Sequence, residues 1–410
     1  MKCRHCQKGL KHVFLDLGCA PPSNAYLSEE ALRRPETFFP LKLYVCTHCW
    51  LVQTEDYPKA EELFASDYAY FSSTSQTWLA HAANYAEKIT NRLGLTDKSF
   101  VIEIGSNDGY LLRNFVAAGI PCLGVEPTNS TADAAEKIGI PVVREFFSTN
   151  AAAALLEKRG KADLICANNV FAHVPDINDF THGLRLVLKD EGVITLEFPQ
   201  LMRLIEQNQF DTVYHEHFSY LSLTTVVSIF AQAGLRIFDV EELQTHGGSY
   251  RIYGCHNGSL RPDSSIVQDI LEREKIFGLQ HTSLYRSFQQ KADKVKNDLL
   301  AFLIRQWHEG KSVAAYGAAA KGNTLMNYAG IKHDLIQFVC DAAPSKQGKF
   351  MPGSHIPIFP PSELARRKPD WVVIFPWNIA EEVIQQQQEV LSWGGKFLIA
   401  IPELKVLSCE

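Results

Sequence analysis

No stretch of the 410-residue chain approaches the ~18 consecutive apolar residues of a membrane-spanning helix. The opening, Met1-Lys2-Cys3-Arg4-His5-Cys6, has none of the apolar core that a secretory signal needs. Basic residues are in deficit: 40 Lys and Arg face 46 Asp and Glu, a net charge of -6. That balance argues against a surface that coats nucleic acid and against attraction to anionic membranes. Without an export signal, the ten cysteines point to a reducing, cytoplasmic setting. Paired cysteines are then metal candidates before they are disulfide candidates. The length provides for two or three domains, each able to bury a core.

Two such pairs stand near the start, Cys3-x-x-Cys6 and Cys46-x-x-Cys49. Each hook can wrap one side of a tetrahedral Zn²⁺, and four thiolates close the shell with no open position. The reading is one structural zinc without chemistry of its own, set against a redox Cys-x-x-Cys as the plainer alternative. The long excursion between the hooks carries Pro21-Pro22, Pro35 and Pro40, which suits a loop-rich module too small to stand on apolar burial. Structural zinc contributes on the order of 10 kcal/mol of folding free energy to such modules.

The rest of the chain is organised around Val101-Ile102-Glu103-Ile104-Gly105-Ser106-Asn107-Asp108-Gly109-Tyr110-Leu111-Leu112. A short apolar strand runs into a glycine turn and then a helix, the arrangement with which doubly wound sheets build a nucleotide crevice. Glycines let backbone approach a ligand closely. Only Gly105 and Gly109 stand here, however, and Asn107-Asp108 fills the place where a dinucleotide fold presents amides to pyrophosphate. An acid there disfavours phosphate and suits a ligand bearing a cation. S-adenosylmethionine, with an adenosine and a sulfonium but no phosphate, meets that description. Glu126 follows about 20 residues later, where an acid would grip a ribose diol.

Further strands are expected at 122–126, 141–143, 163–167 and 192–198, then a long insertion, a helix at Thr224–Ala233, and antiparallel strands at 235–241 and 249–255. The fourth strand ends in Asn168-Asn169-Val170-Phe171-Ala172-His173, without the Pro-Pro-aromatic clamp of nucleic-acid amino-methylases. The insertion holds the densest polar cluster, Asp211-Thr212-Val213-Tyr214-His215-Glu216-His217-Phe218-Ser219-Tyr220. Its spacing is not that of a zinc protease. Extended, the run would split Tyr214 and Glu216 from His215 and His217; coiled, most of the set would converge. Asp67-Tyr68-Ala69-Tyr70-Phe71 serves as packed linker or ligand wall. Thr245-His246-Gly247-Gly248 is a turn that brings backbone close to a neighbour. After a helical stretch at 264–309, the strand–turn–helix pattern returns at Ser312–Tyr316 and Gly317-Ala318-Ala319-Ala320-Lys321-Gly322-Asn323-Thr324, with later strands at 335–340, 371–375 and 396–401. Small residues, backbone amides and one lysine make that turn a plausible phosphate cradle.

Taken in order, these segments resemble the sugar C-methyltransferases that act on nucleotide-linked 4-keto-6-deoxysugars. The likeness runs over nearly the whole chain: four cysteines, Glu-Ile-Gly-Ser-Asn-Asp-Gly, Ala-Asn-Asn-Val-Phe-Ala-His, Glu-His-Phe, Thr-His-Gly-Gly and Tyr-Gly-Ala-Ala-Ala-Lys-Gly-Asn. It implies an α/β fold: a class I methyltransferase core with a seven-stranded doubly wound sheet, plus an N-terminal zinc module and a C-terminal Rossmann-like domain. The expected division is 1–75, 76–258, a helical connection at 259–310, and 311–410. The implied reaction carries methyl from S-adenosylmethionine to C-3 of a hexose, usually dTDP-linked, through an enolate.

Catalytic positions implied by the resemblance are Tyr68, His173, Tyr214, Glu216 and His217. His217 would be the base, with Glu216 orienting its ring; Tyr214 is the rival base, and Tyr68 and His173 would hold the ketone or 3-hydroxyl. The methyl-donor wall is expected at Glu103, Gly105, Asn107, Asp108, Gly109, Leu111, Glu126, Pro127, Asn168 and Asn169. Arg251, Tyr316, Gly317, Ala318, Lys321 and Asn323 are expected toward the nucleotide sugar, and Cys3, Cys6, Cys46 and Cys49 toward zinc. No nucleic-acid or membrane partner is expected, and subunit number stays open. A nucleic-acid methyltransferase with a zinc ribbon and an inactive zinc-bearing scaffold are the alternatives from other classes.

Overall fold

The structure is a computed structural model that describes residues 1–57 and 71–407. Its centre is a seven-stranded sheet in the order β10-β11-β8-β7-β4-β5-β6. The strands are β4 (Val101–Ile104), β5 (Cys122–Val125), β6 (Val142–Val143), β7 (Ala162–Asn168), β8 (Leu188–Pro199), β10 (Leu235–Leu243) and β11 (Ser249–His256). From β6 to β8 every pairing is parallel, and β11 and β10 close the edge antiparallel. That is the class I methyltransferase layout expected from the sequence. All four residues of β4 are buried, as a strand covered by helices on both faces requires.

The helix before β4, Gln76–Leu93, starts where the Ser75 side chain accepts from the Trp78 amide and stops at Gly94 in the left-handed conformation. A second sheet carries the C-terminal unit, ordered β14-β13-β12-β15-β16-β17, parallel except for the antiparallel edge strand β17. Here β12 is Val313–Tyr316, β13 Val339–Cys340, β14 Ile358–Phe359, β15 Trp371–Ile374, β16 Lys396–Ile399 and β17 Lys405–Leu407. The expected strand at 335–340 shrinks to two residues.

The N-terminal excursion is the main departure from expectation. Rather than loops, it forms β1 (His12–Ala20), β2 (Phe39–Val45) and β3 (Val52–Thr54), and the sheet is completed by β9 (Ser219–Tyr220) from the distant insertion. It does not rely on zinc alone. Phe14 packs 4.8 Å from Phe288 and 5.3 Å from Tyr285, ring to ring, in one apolar cluster with Leu299, Val313 and Val339. The helical connection resolves into Ser265–Phe277, Thr282–Arg286 and Phe288–His308, and the last supplies that cluster's spine. Among the described residues, no helix is long and apolar enough to cross a membrane.

Candidate active site

The sulfur atoms of Cys3, Cys6, Cys46 and Cys49 lie within 4.8 Å of one another, with Cys3–Cys49 and Cys6–Cys46 each at 3.5 Å. A tetrahedral Zn–S shell of ~2.3 Å bonds sets sulfurs ~3.8 Å apart, so the donor set fits zinc in number, type and spacing. Both hooks close alike: the Gln7 amide donates to the Cys3 carbonyl and the Trp50 amide to the Cys46 carbonyl, each through a left-handed residue.

Beyond β4, the glycine turn is held in left-handed backbone at Gly105, Asn107 and Gly109. A Cβ at Gly105 would meet a Val170 methyl at 2.4 Å, and one at Gly109 would meet Ile140 at 2.3 Å. Asn107 Oδ1 accepts from the Ser72 amide and Asp108 Oδ2 from the Ser73 amide, so the turn also ties down the segment that leads into the core. Glu126 accepts from the Asn107 amide at 2.9 Å and from the Thr128 amide and hydroxyl, with carboxylate lone pairs remaining for a diol. Asp108 Oδ1 and Asn169 Oδ1 are buried without a hydrogen-bond partner, which marks this wall as built for a polar ligand. Leu111 is buried behind the turn and Pro127 half-buried beside it. Burial drives the Glu103 carboxyl well above its ordinary range. The residues fit S-adenosylmethionine, with Asn168 and Asn169 at the end of β7 completing the crescent.

Arg251 is not available to a phosphate, contrary to expectation. It sits on β11 directly opposite Glu197 of β8, with ion pairs of 2.7 Å to Glu197 and 3.0 Å to Glu241. Its side chain is 3% exposed and lies over the Tyr85 ring. Burial pushes Glu197 up, but the His81 hydrogen bond and the Arg251 charge outweigh it and hold the carboxyl below its usual value. Thr245 donates to the same carboxylate, which fixes the turn carrying His246. The His246 ring lies tilted against Trp78, centroids 5.2 Å apart.

The insertion is coiled, and it brings Tyr214 and His217 together. The Tyr214 hydroxyl lies 2.8 Å from His217 Nε2, while His217 Nδ1 is 3.1 Å from the Thr212 carbonyl. A carbonyl only accepts, so Nδ1 carries the hydrogen and Nε2 receives that of Tyr214. His173 arrives from the end of β7, its ring 4.6 Å from that of His217, with Nδ1 donating to the Glu216 carbonyl at 2.7 Å. Burial lowers His173 to about 4 and His217 well below its ordinary value. Both rings are neutral at physiological pH.

Glu216 does not orient His217; the Thr212 carbonyl does. The Glu216 carboxylate turns the other way and accepts from the Asn24 amide and side chain at 3.3 and 3.1 Å. Neighbouring residues of a turn point to different sides, so adjacency in sequence misled. Tyr68 lies outside the described residues.

In the C-terminal unit the helix begins at Ala320, earlier than expected, so Lys321 and Asn323 are helical. The supposed cradle is largely packed. Tyr316 is buried, and Gly317 lies against Pro376, where a Cβ would come within 2.4 Å. The Ala318 carbonyl accepts from Tyr26 and Lys346, and Asn323 donates to the Ser23 carbonyl. An N-terminal loop therefore occupies the place given to phosphate at Ala318 and Asn323. Lys321 alone of that set is only half-buried: its Nζ donates to Asn378 at 2.7 Å and lies 4.5 Å over the Trp377 ring. Trp377 in turn donates to Asp211 at 2.8 Å, and burial pushes the Asp211 carboxyl up to about 6. The His-Gly-Gly turn flagged His246 in sequence; nothing local flagged Trp78, His81 or Trp377.

A zinc module, a class I core and a cleft holding a Tyr–His pair define an S-adenosylmethionine-dependent methyltransferase. Three family models match in register: a zinc binding domain over residues 3–64, a methyltransferase domain over 78–240 and a C-methyltransferase C-terminal domain over 244–402. The C-methyltransferase NovU of Streptomyces niveus is 34% identical over 409 residues, covering 100% of this chain and 97% of NovU. The chain belongs to the C-methyltransferase family, and its reaction is methyl transfer to carbon. Solved structures are more distant. YcgJ from Bacillus subtilis shares 12% identity at a TM-score of 0.36, over 44% of this chain and 100% of its own. The glycopeptide N-methyltransferase MtfA with S-adenosylmethionine shares 13% at 0.35, over 43% and 94%. At that distance neither bears on substrate.

Proposed function

We propose that the enzyme methylates C-3 of a nucleotide-linked 4-keto-6-deoxyhexose, with dTDP as the expected carrier, in the making of branched deoxysugars. On this reading the substrate lies between residues 76–258 and 311–410. The observation that carries the reading is the hydrogen-bonded pair Tyr214–His217 with its tautomer fixed by Thr212. A carbon becomes nucleophilic only when its proton leaves toward an adjacent ketone, and this pair is a base suited to take it. S-adenosylmethionine, when bound, supplies the methyl as an electrophile on a cationic sulfur.

Tyr214 is half-buried, whereas His217 is the more enclosed of the two at 8% exposed. The phenol therefore meets the substrate and the imidazole receives the phenol's proton. In this assignment His173 offers a ring acceptor to the 3-hydroxyl, and Tyr68 stays with the ketone or that hydroxyl. Gly105, Asn107, Asp108, Gly109, Leu111, Glu126, Pro127, Asn168 and Asn169 form the donor wall, backed by Glu103. His217→Asn should lower turnover by about 10²–10⁴-fold, the usual worth of a general base, with donor binding by calorimetry unchanged. Intact turnover in that variant removes His217 from the mechanism.

A further inference from the structure

The base pair accounts for half of the proposed chemistry. Withdrawing the C-3 proton moves charge onto the C-4 oxygen, and a preorganised donor there is worth more than one recruited later. Neither imidazole serves. The carbonyl contacts of His173 and His217 put the hydrogen on Nδ1 in both rings, so in the neutral rings each Nε2 is an acceptor. Tyr214 gives its hydrogen to His217. Arg251 is enclosed by Glu197 and Glu241.

Lys321 stands in the right place. It lies one turn before Thr324, whose hydroxyl donates at 2.7 Å to the carbonyl of Val213, the residue next to Tyr214. Its ammonium covers Trp377, and Trp377 is bonded to Asp211, the residue next to Thr212. The lysine is thus held beside the stretch that leads into Tyr214, through Asp211 and Val213. Its positive field reaches His217 and His246, where it opposes protonation, and the same field favours an anion.

Resting on the C-3 methylation proposed above, we infer that Lys321 is a catalytic residue whose ammonium holds the C-4 oxygen and receives the enolate charge. The C-3–H bond breaks, and its proton goes to the Tyr214 oxygen as the Tyr214 hydrogen passes to His217 Nε2. The electron pair released becomes the C-3=C-4 π bond, and the carbonyl π pair comes to rest on the oxygen against Lys321 Nζ. Asn378 occupies one of three ammonium hydrogens, which leaves donors for the ketone.

The test is deuterium uptake at C-3 in D₂O by the full-length zinc-loaded enzyme, with S-adenosylhomocysteine and a dTDP-4-keto-6-deoxyhexose. Lys321→Met should slow uptake about 10²–10³-fold, the usual cost of losing an oxyanion donor, while Lys321→Arg recovers part of it. Affinity for dTDP alone should stay within about threefold, since 1.4 kcal/mol of lost phosphate binding would read as tenfold. Unchanged uptake in Lys321→Met overturns the assignment. So does normal uptake at saturating sugar with dTDP bound at least about tenfold more weakly, which makes the lysine a phosphate ligand. If the wild type neither exchanges C-3 nor transfers methyl, the C-3 reading itself fails and the lysine's role goes with it.

Discussion

Two backbone carbonyls, those of Thr212 and Glu216, decide which nitrogen of the His217 and His173 imidazoles is basic. Burial then keeps the rings neutral, and this has a measurable consequence for stability. His246, like His173, titrates near 4 in the folded chain against an ordinary 6.5. As pH falls, the unfolded chain takes up protons first, so stability is lost between pH 6.5 and 4 and no further below. Each ring is partly open to the cleft, which reduces its share at pH 5 to about 1 kcal/mol. Urea unfolding of His246→Asn should therefore lose about 1 kcal/mol less than wild type between pH 7.5 and 5. An identical pH dependence in the variant contradicts the burial argument. At this scale the sequence was only partly legible. Tyr214 and His217 were readable in the polar cluster past the fifth core strand, and His173 in the segment that ends the fourth. The partner of each was not, because a coil sets direction residue by residue and Glu216 turns toward Asn24.

Among elements, the short strand β3 links the metal to the chemistry. Val52 and Gln53 pair with Tyr220 and Ser219 of β9, and the Thr54 amide donates to the Phe218 carbonyl. Arg4, between the first two zinc cysteines, donates to the carbonyls of Thr54 and Pro175 and pairs with Asp56. The knuckle thereby braces the segments after His173 and around His217. Cys46→Ser should release one equivalent of zinc and lower the melting temperature by about 5 °C or more. Methyl transfer should fall with it, since β9 loses its neighbour. Metal analysis with thermal melting checks this; a metal-free protein with unchanged melting contradicts it. The core sheet was legible because its strands are continuous apolar runs joined by local crossovers. The β3–β9 pairing was not, because strands of three and two residues distant in sequence carry no periodicity.

For the molecule as a whole, the proposed site draws on three units. The core contributes the donor turn and His173, the insertion contributes Tyr214 and His217, and the C-terminal unit contributes Lys321 and Trp377. The N-terminal loop fills the turn after β12 through Ser23 and Tyr26. Small residues at Gly317–Ala320 read as a phosphate cradle, yet small residues equally admit a neighbouring segment, and only the tertiary arrangement separates the two. Family membership makes carbon the methyl acceptor, and the proposed function sets that carbon beside a ketone. The direct measurement is NMR of the product formed from ¹³C-methyl S-adenosylmethionine and a dTDP-4-keto-6-deoxyhexose. The expected result is a labelled methyl bonded to C-3, made by wild type and lost in His217→Asn. A labelled methyl on oxygen, or at any carbon other than C-3, would contradict it.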